Sequence, residues 1–503
     1  MRVLGSRFVA GVGSPLRAAL AAATVVLVCA VAGAGPAAGV EVGPPTPSRP
    51  SPVAVGVSHA CALPGDGTVR CWGAMNTHGQ LGDGTEFDPT APIGDSFPRP
   101  VTVIADAGST APLSGAVAIA AGYAHSCAAI ADGTVRCWGW NSSSDDPFAI
   151  AGTGGQLGDG TTTDRAAPVT VIAEAGSTTP LSGVTDIVAG WFHTCALIDD
   201  GTVRCWGDAT FRGGLGDGTK DSSLTPVTVI AEAGATGPLT GVIALTTGDF
   251  KTCALLADGT VRCWGDDYVS QLSEAGSTED AAPVTVMATS GGGAPLSGVV
   301  AIDVAGGFTQ DAGGYVACAL LSDGSVKCCG NNDFGGLGDG TTTSSRIPVD
   351  VLGITGQATA VTAGCVLLAD RTVTCWPGRS PEGELLNGSF TVTVAGGGTG
   401  ALSDVVAIEA GDFHAAGVLA DGSVVRWLVN EGAVPIEGLL VVPPAPVATP
   451  VHDGRPSRRD RVATCGERCA RSDHRGRRAA DDRWRRPGRR RWRSRRSGAG
   501  GVS

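Results

Sequence analysis

The catalytic signatures that can be read from spacing alone are missing from this sequence of 503 residues. It has no nucleophile elbow, no glycine-rich loop ending in Lys-Ser/Thr and no dinucleotide fingerprint. Its regular cysteine pairs are too widely spaced for a zinc site, which wants close pairs converging on one point. After residue 34 there is no apolar run long enough to span a bilayer. Lysine is absent from the arginine-rich stretch 451–503. Together these gaps argue against an enzyme, a cofactor and a metal. One enzymatic reading stays open: a lyase or hydrolase site assembled from carboxylates and His in a central channel.

What is present is repetition. Cysteine, nine residues, then cysteine occurs six times: Cys61 and Cys71, Cys127 and Cys137, Cys195 and Cys205, Cys253 and Cys263, Cys318 and Cys328, Cys365 and Cys375. A seventh copy, His414 to Trp427, keeps the frame but has Ala416 and Arg426 in place of the two cysteines. Their joint loss argues that the two cysteines of a copy belong to each other. In the third copy, Val184–Gly190, Thr194–Ile198 and Thr202–Trp206 read as strands, with Asp199-Asp200-Gly201 as a hairpin turn. That register puts Cys195 opposite Cys205, Leu197 opposite Val203 and Ala196 opposite Arg204, with the cysteines within disulfide reach. Pro226–Ile230 reads as a fourth strand. The expectation is an all-β, seven-bladed β-propeller of four-stranded antiparallel blades over residues 51–448.

The flanks read differently. Arg2, Arg7 and Arg17 precede an apolar run, Ala18 to Ala34, ending in Ala32-Gly33-Ala34. Residues 1–34 are therefore expected to be a signal peptide, 35–50 a Pro-rich linker. A membrane anchor, or a lipid-anchored start at Cys29, fits less well. Export suits a chain with paired cysteines. Residues 451–503 hold 18 Arg against 6 Asp/Glu, a net charge of +12, which leaves −24 on the rest. An acidic propeller repels nucleic acid and anionic membranes. Residues 449–503 are expected to form a disordered tail, or a stretch read in a shifted frame of a GC-rich gene.

Several repeated residues read as structural. His59, His125, His193 and His414 share one repeat position and are expected to make structural hydrogen bonds. Trp72, Trp138, Trp206, Trp264, Trp376 and Trp427 share another and are expected to pack between blades. Gly-Asp-Gly-Thr reads as a turn. The nearly identical joining segments 104–110, 172–178 and 230–236 should line one rim. Tyr123, Trp191 and Trp140 do not recur, and they are the candidate protein-binding residues. Phe recurs beside Trp191, at Phe192, Phe250 and Phe413, and so reads as structural.

Cys253-Ala-Leu-Leu-Ala-Asp-Gly-Thr-Val-Arg-Cys-Trp-Gly265, with Gly155-Gln-Leu-Gly-Asp-Gly-Thr161 and its counterparts Gly79–Thr85, Gly214–Thr219 and Gly336–Thr341, resembles the regulator of chromosome condensation repeat family. Copy four departs with Gln271-Leu272-Ser273-Glu274. Copy five has Cys329 where Trp is expected, and copy six lacks the Gly-Asp-Gly segment. The resemblance implies a seven-bladed propeller and two precedents: nucleotide exchange on a nuclear small GTPase, and inhibition of a secreted β-lactamase. Exchange conflicts with the export signal. The reading that results is a secreted or cell-surface, monomeric, non-enzymatic scaffold that binds a protein partner through a rim face. An inhibitor of a secreted enzyme is the alternative.

Overall fold

The nine-residue cysteine spacing folds as one hairpin in every copy. The computed structural model describes residues 51–73, 76–86, 99–142, 154–209, 214–266, 279–290, 293–306, 315–333, 335–376, 389–393, 400–410, 415–427 and 433–441. The expected signal peptide, linker and arginine-rich tail lie outside them, as does His414. Among the described residues, twenty-eight strands form seven four-stranded antiparallel sheets. In order, blades 1 to 7 occupy 53–102, 116–170, 184–228, 242–285, 299–350, 358–391 and 405–440.

In blade 3, Val184–Ala189, His193–Ile198, Val203–Gly207 and Ser223–Thr228 are the strands from channel to rim. Cys195 lies opposite Cys205, Ala196 opposite Arg204 and Leu197 opposite Val203, as the spacing predicts. The same register puts Cys318 opposite Cys328 in blade 5 and Cys365 opposite Cys375 in blade 6. All six expected disulfides are formed: Cys61 with Cys71, Cys127 with Cys137, Cys195 with Cys205, Cys253 with Cys263, Cys318 with Cys328 and Cys365 with Cys375. Their Cα atoms stand 4.0–4.1 Å apart. In blade 7 the substituted positions Ala416 and Arg426 still face each other. The turn glycine takes positive φ, 78° at Gly201 and 83° at Gly133. Blade 6 puts Arg371 there instead, at φ 66°, a conformation that costs a residue with a Cβ roughly 1–2 kcal/mol.

The fourth strand corrects the sequence reading. It ends at Thr228 rather than running through Ile230. A bulge between Cys205 and Gly207 shifts the ladder, so Val227 pairs with Cys205 and Ser223 with Gly207. Ile230 turns away to bridge Pro238. The same bridge recurs at Ile104–Pro112 and Ile172–Pro180, closing each joining segment into a small loop.

Among the described residues each blade uses four consecutive strands, and no strand is shared between the first blade and the last. Closure is made by side chains. Val53, Val55 and Trp72 of blade 1 pack with Ala416, Val418 and Val424 of blade 7.

At five other junctions the Trp of one blade packs over the disulfide of the blade before. Trp138 lies with Cys61 and Cys71, Trp206 with Cys127 and Cys137, and Trp264 with Cys195 and Cys205. Trp376 lies with Cys318 and Cys328, and Trp427 with Cys365 and Cys375. Glycine makes room for the indole. A Cβ on Gly82 would stand 2.6 Å from Trp138 Nε1, and one on Gly158 2.8 Å from Trp206 Nε1. The indole N–H groups of Trp138, Trp206 and Trp376 donate to the carbonyls of Gln80, Gln156 and Gly336, each at 2.9 Å.

Peptide mapping without reduction should recover the six within-blade disulfides and Cys329 as a thiol. Replacing Cys195 and Cys205 together by Ser should lower stability by roughly 2–3 kcal/mol in denaturant titration. A Cys71–Cys127 link would contradict this architecture.

Candidate binding face

Antiparallel strands put alternate loops at opposite ends of a blade. The loops after the first and third strands share one face of the ring. The Asp-Gly turns and the joining segments share the other, where Ala131 N–H donates to Gly115 O at 2.8 Å. The Gly-Asp-Gly-Thr segments lie on the first face and are turns. Asp83 Oδ1 accepts from Thr85 N–H at 3.0 Å and from its hydroxyl at 2.7 Å.

That first face is held in register by histidines. Nε2 of His59 lies 2.8 Å from Ser126 Oγ, that of His125 3.0 Å from Thr194 Oγ1, and that of His193 2.8 Å from Thr252 Oγ1. Ser126 and Thr194 spend their own hydrogens on the carbonyls of Gln80 and Gln156. The imidazoles of His59 and His125 must therefore donate through Nε2. Each bond joins one blade to the next, the structural role expected from the sequence. Burial pushes His125 down to about 3, helped by repulsion from His59 and His193, and pushes His193 down to about 4. Both rings are neutral. In blade 4 the position is Lys251, buried, with its Nζ 5.7 Å from the centre of the Tyr315 ring.

Beside the histidines, aromatics from three blades form one cluster. Tyr123, Trp191 with Phe192, and Phe250 come from the first loops of blades 2, 3 and 4, and Trp140 follows the third strand of blade 2. Ring centres are 5.3 Å apart for Tyr123–Trp191 and for Trp140–Phe192, and 5.4 Å for Trp191–Phe250. His78 extends the cluster, 5.6 Å from Trp140, and its Nδ1 lies 2.8 Å from Asp164 Oδ2.

The structure separates the three candidates. Tyr123 and Trp191 are half-buried. Trp140 is only 2% exposed and acts as a support under Tyr123 and Phe192, not as a rim contact. Its contacts with His78 and Phe192 come from the blade before and the blade after, so nothing in its own repeat marked it as core. Phe192, 5% exposed, is core as expected.

Trp191 also walls a small axial cavity, together with Asp249, Val57 and the backbone of Gly56, Gly122 and Gly190. A Cβ on Gly56 or Gly122 would collide with the glycine carbonyl of the next blade. The channel mouth is therefore narrow.

Sequence reading missed three carboxylates on the innermost strands: Asp186, Asp303 and Glu409. Asp303 joins three blades, accepting from Thr246 Oγ1 at 2.9 Å and from Ala363 N–H at 2.7 Å. Burial raises all three, Asp186 to about 7. Repulsion from Asp303 and then Asp186 pushes Glu409 further. An acidic residue in an otherwise apolar inner strand was the available signal. Among the described residues no His, Cys, Asp and Glu group could hold a metal ion.

Models of the regulator of chromosome condensation (RCC1) repeat match residues 53–80, 116–144, 184–212, 242–271 and 311–335, and a second model of that repeat matches 151–197. The chain is an RCC1-repeat β-propeller. The five matches cover the second and third strands of blades 1 to 5, which carry the disulfide and, except in blade 5, the Trp. The propeller is 30% identical over 291 residues to the human E3 ubiquitin-protein ligase HERC2, which is 58% of this chain and 5% of HERC2. It is 27% identical over 235 residues to the ultraviolet-B receptor UVR8 of Arabidopsis thaliana, 46% of this chain and 45% of UVR8. This chain thus spans less than half of the curated relatives named here. Human WBSCR16 has the same fold, with a TM-score of 0.54 at 18% identity over 73% of this chain and 93% of that one.

Two outcomes follow from the site. Phe192→Ala should cost about 3 kcal/mol by denaturant titration, whereas Trp191→Ala should stay folded with a Tm within a few degrees of wild type. Asp186 is protonated in the fold up to about pH 7 but charged above its ordinary 3.8 in the unfolded chain, so it weakens the fold as pH rises through that window. Asp186→Asn should raise Tm at pH 8 and leave it unchanged at pH 4.

Proposed function

We propose that this RCC1-repeat propeller is an exported, non-enzymatic scaffold whose protein partner docks on the channel-mouth face. The carrying observation is the cross-blade aromatic cluster, with Tyr123 and Trp191 half-exposed over the buried Trp140 and Phe192. Rigid aromatic rings backed by packed neighbours lose little freedom on binding, and such residues dominate interface energies. The propeller's acidic charge favours a basic partner surface.

The disulfides support export, since such bonds persist outside the cytoplasm. A channel enzyme would need His and carboxylate to converge. Here three histidines, His59, His125 and His193, are buried and committed to hydroxyls of the next blade. HERC2 is a ligase by name, but this chain matches a twentieth of it, so that activity is not carried over. Nucleotide exchange is a use of the fold and not a feature of these residues. Inhibition of a secreted enzyme is compatible with the same face, and the identity of the captured partner decides between inhibitor and scaffold.

Residues 35–448, immobilised and exposed to culture supernatant, should capture a partner whose affinity falls about tenfold or more on Trp191→Ala. Glu174→Arg, on the opposite face, should bind as wild type. The reverse pattern would move the interface to the joining loops. Recovery of the protein only from the cytosol, with residues 1–34 intact, would overturn export.

A further inference from the structure

The channel mouth gathers groups that attract positive charge. Gly56, Gly122, Gly190 and Gly248 open the first loops of blades 1 to 4, and all four line the axial cavity. A Cβ on Gly56, Gly122 or Gly190 would collide with the carbonyl oxygen of the next glycine in that series. Only a bare Cα lets these carbonyls crowd together, so the mouth carries their partial negative charge. Asp249 and Trp191 complete the wall. The Trp191 backbone N–H donates to the Asp249 carbonyl at 2.7 Å, which ties the two loops together.

The surrounding strands do not offset this charge. Among the described residues, the innermost strand of every blade lacks Lys, Arg and His. Two of these strands carry Asp303 and Glu409, next in sequence to Val304 and Ala410 of the cavity wall. The histidines behind the mouth, His125 and His193, are neutral.

Size then selects the cation. The cavity is about 40 Å³, room for a few water-sized groups and none for a ring. A lysine ammonium and the methylene beside it are of that size, whereas a guanidinium is a broad plane. An ammonium donates to carbonyl and carboxylate oxygens and is attracted to an aromatic face within about 6 Å. The propeller already makes such a contact, with Lys251 Nζ 5.7 Å from the centre of the Tyr315 ring.

We propose that the axial mouth receives a lysine side chain of the docked partner, its ammonium set against Trp191, Asp249 and the glycine carbonyls. This rests on the channel-mouth face being the docking surface. It gives that face a single cationic anchor at the axis, with the aromatic cluster beside it for the surrounding contacts.

Nα-acetyl-lysine amide is the probe, titrated into residues 35–448 at constant ionic strength. Saturation transfer to its ε-methylene protons reads binding, and the Trp191 indole N–H resonance, assigned by its loss in Trp191→Phe, reads the place. Wild type should shift that resonance with a Kd of about 1 mM. Nα-acetyl-norleucine amide, which lacks the charge, should bind roughly tenfold more weakly. Asp249→Asn, and Trp191→Leu at unchanged net charge, should each weaken the lysine probe about tenfold. If Asp249→Asn does not fold, Trp191→Leu still decides. Equal binding of the norleucine or the arginine analogue, or undiminished lysine binding in Trp191→Leu, would overturn the proposal. Partner capture that depends on Trp191 without any binding of the lysine probe would overturn the anchor and leave the docking face standing.

Discussion

The ring depends on one contact, made at five of its seven junctions: an indole of one blade laid over the cystine of the blade before. Among the described residues blades meet side by side, and no strand is exchanged between the first blade and the last. Side-chain packing must therefore set every angle between neighbours. The disulfide supplies a flat, rigid floor for the indole. The indole N–H, where it finds a carbonyl, fixes the ring's orientation. The Gly-x-Leu-Gly segment is thus a structural part of the latch.

Around this latch the two halves of the propeller differ. Blades 1 to 4 add a second tie, from an imidazole to a hydroxyl on the next blade. Blades 4 to 6 replace it with Asp303, which accepts from Thr246 on one side and Ala363 on the other. The regular half also carries the aromatic cluster, and the ties below it hold those loops in place. The two kinds of tie respond oppositely to pH. Buried histidines oppose folding as pH falls below their ordinary value near 6.5, and buried acids oppose it as pH rises above theirs. The ring is best satisfied between these limits.

Much of the fold was legible because it repeats. A fixed cysteine gap around an Asp-Gly turn permits one register, and Cys195 opposite Cys205 followed from counting. The same count held for Cys318 with Cys328 and for Cys365 with Cys375, although those copies are less regular outside the hairpin. Recurrent Trp and His positions announced contacts between copies. What did not recur was misread or missed. Trp140 looked like a surface anchor, yet its burial comes from Phe192 and His78 on neighbouring blades. Such contacts leave no period in the sequence. Asp186, Asp303 and Glu409 were missed, since their convergence needs the ring to be closed. The end of the fourth strand was misplaced because Ile230, apolar like the strand before it, turns away to bridge Pro238.

The account turns on the indole latch as the determinant of stability around the ring. Native-state hydrogen exchange, read strand by strand, tests this directly. Amides of Thr252–Leu255, Val261–Trp264 and Ala317–Leu320, at the junction without an indole, should exchange at a lower opening free energy than their counterparts Thr194–Leu197 and Val203–Trp206 in blade 3. Uniform protection around all seven blades, or greatest protection at the seam between blades 4 and 5, would contradict the latch as the controlling interaction.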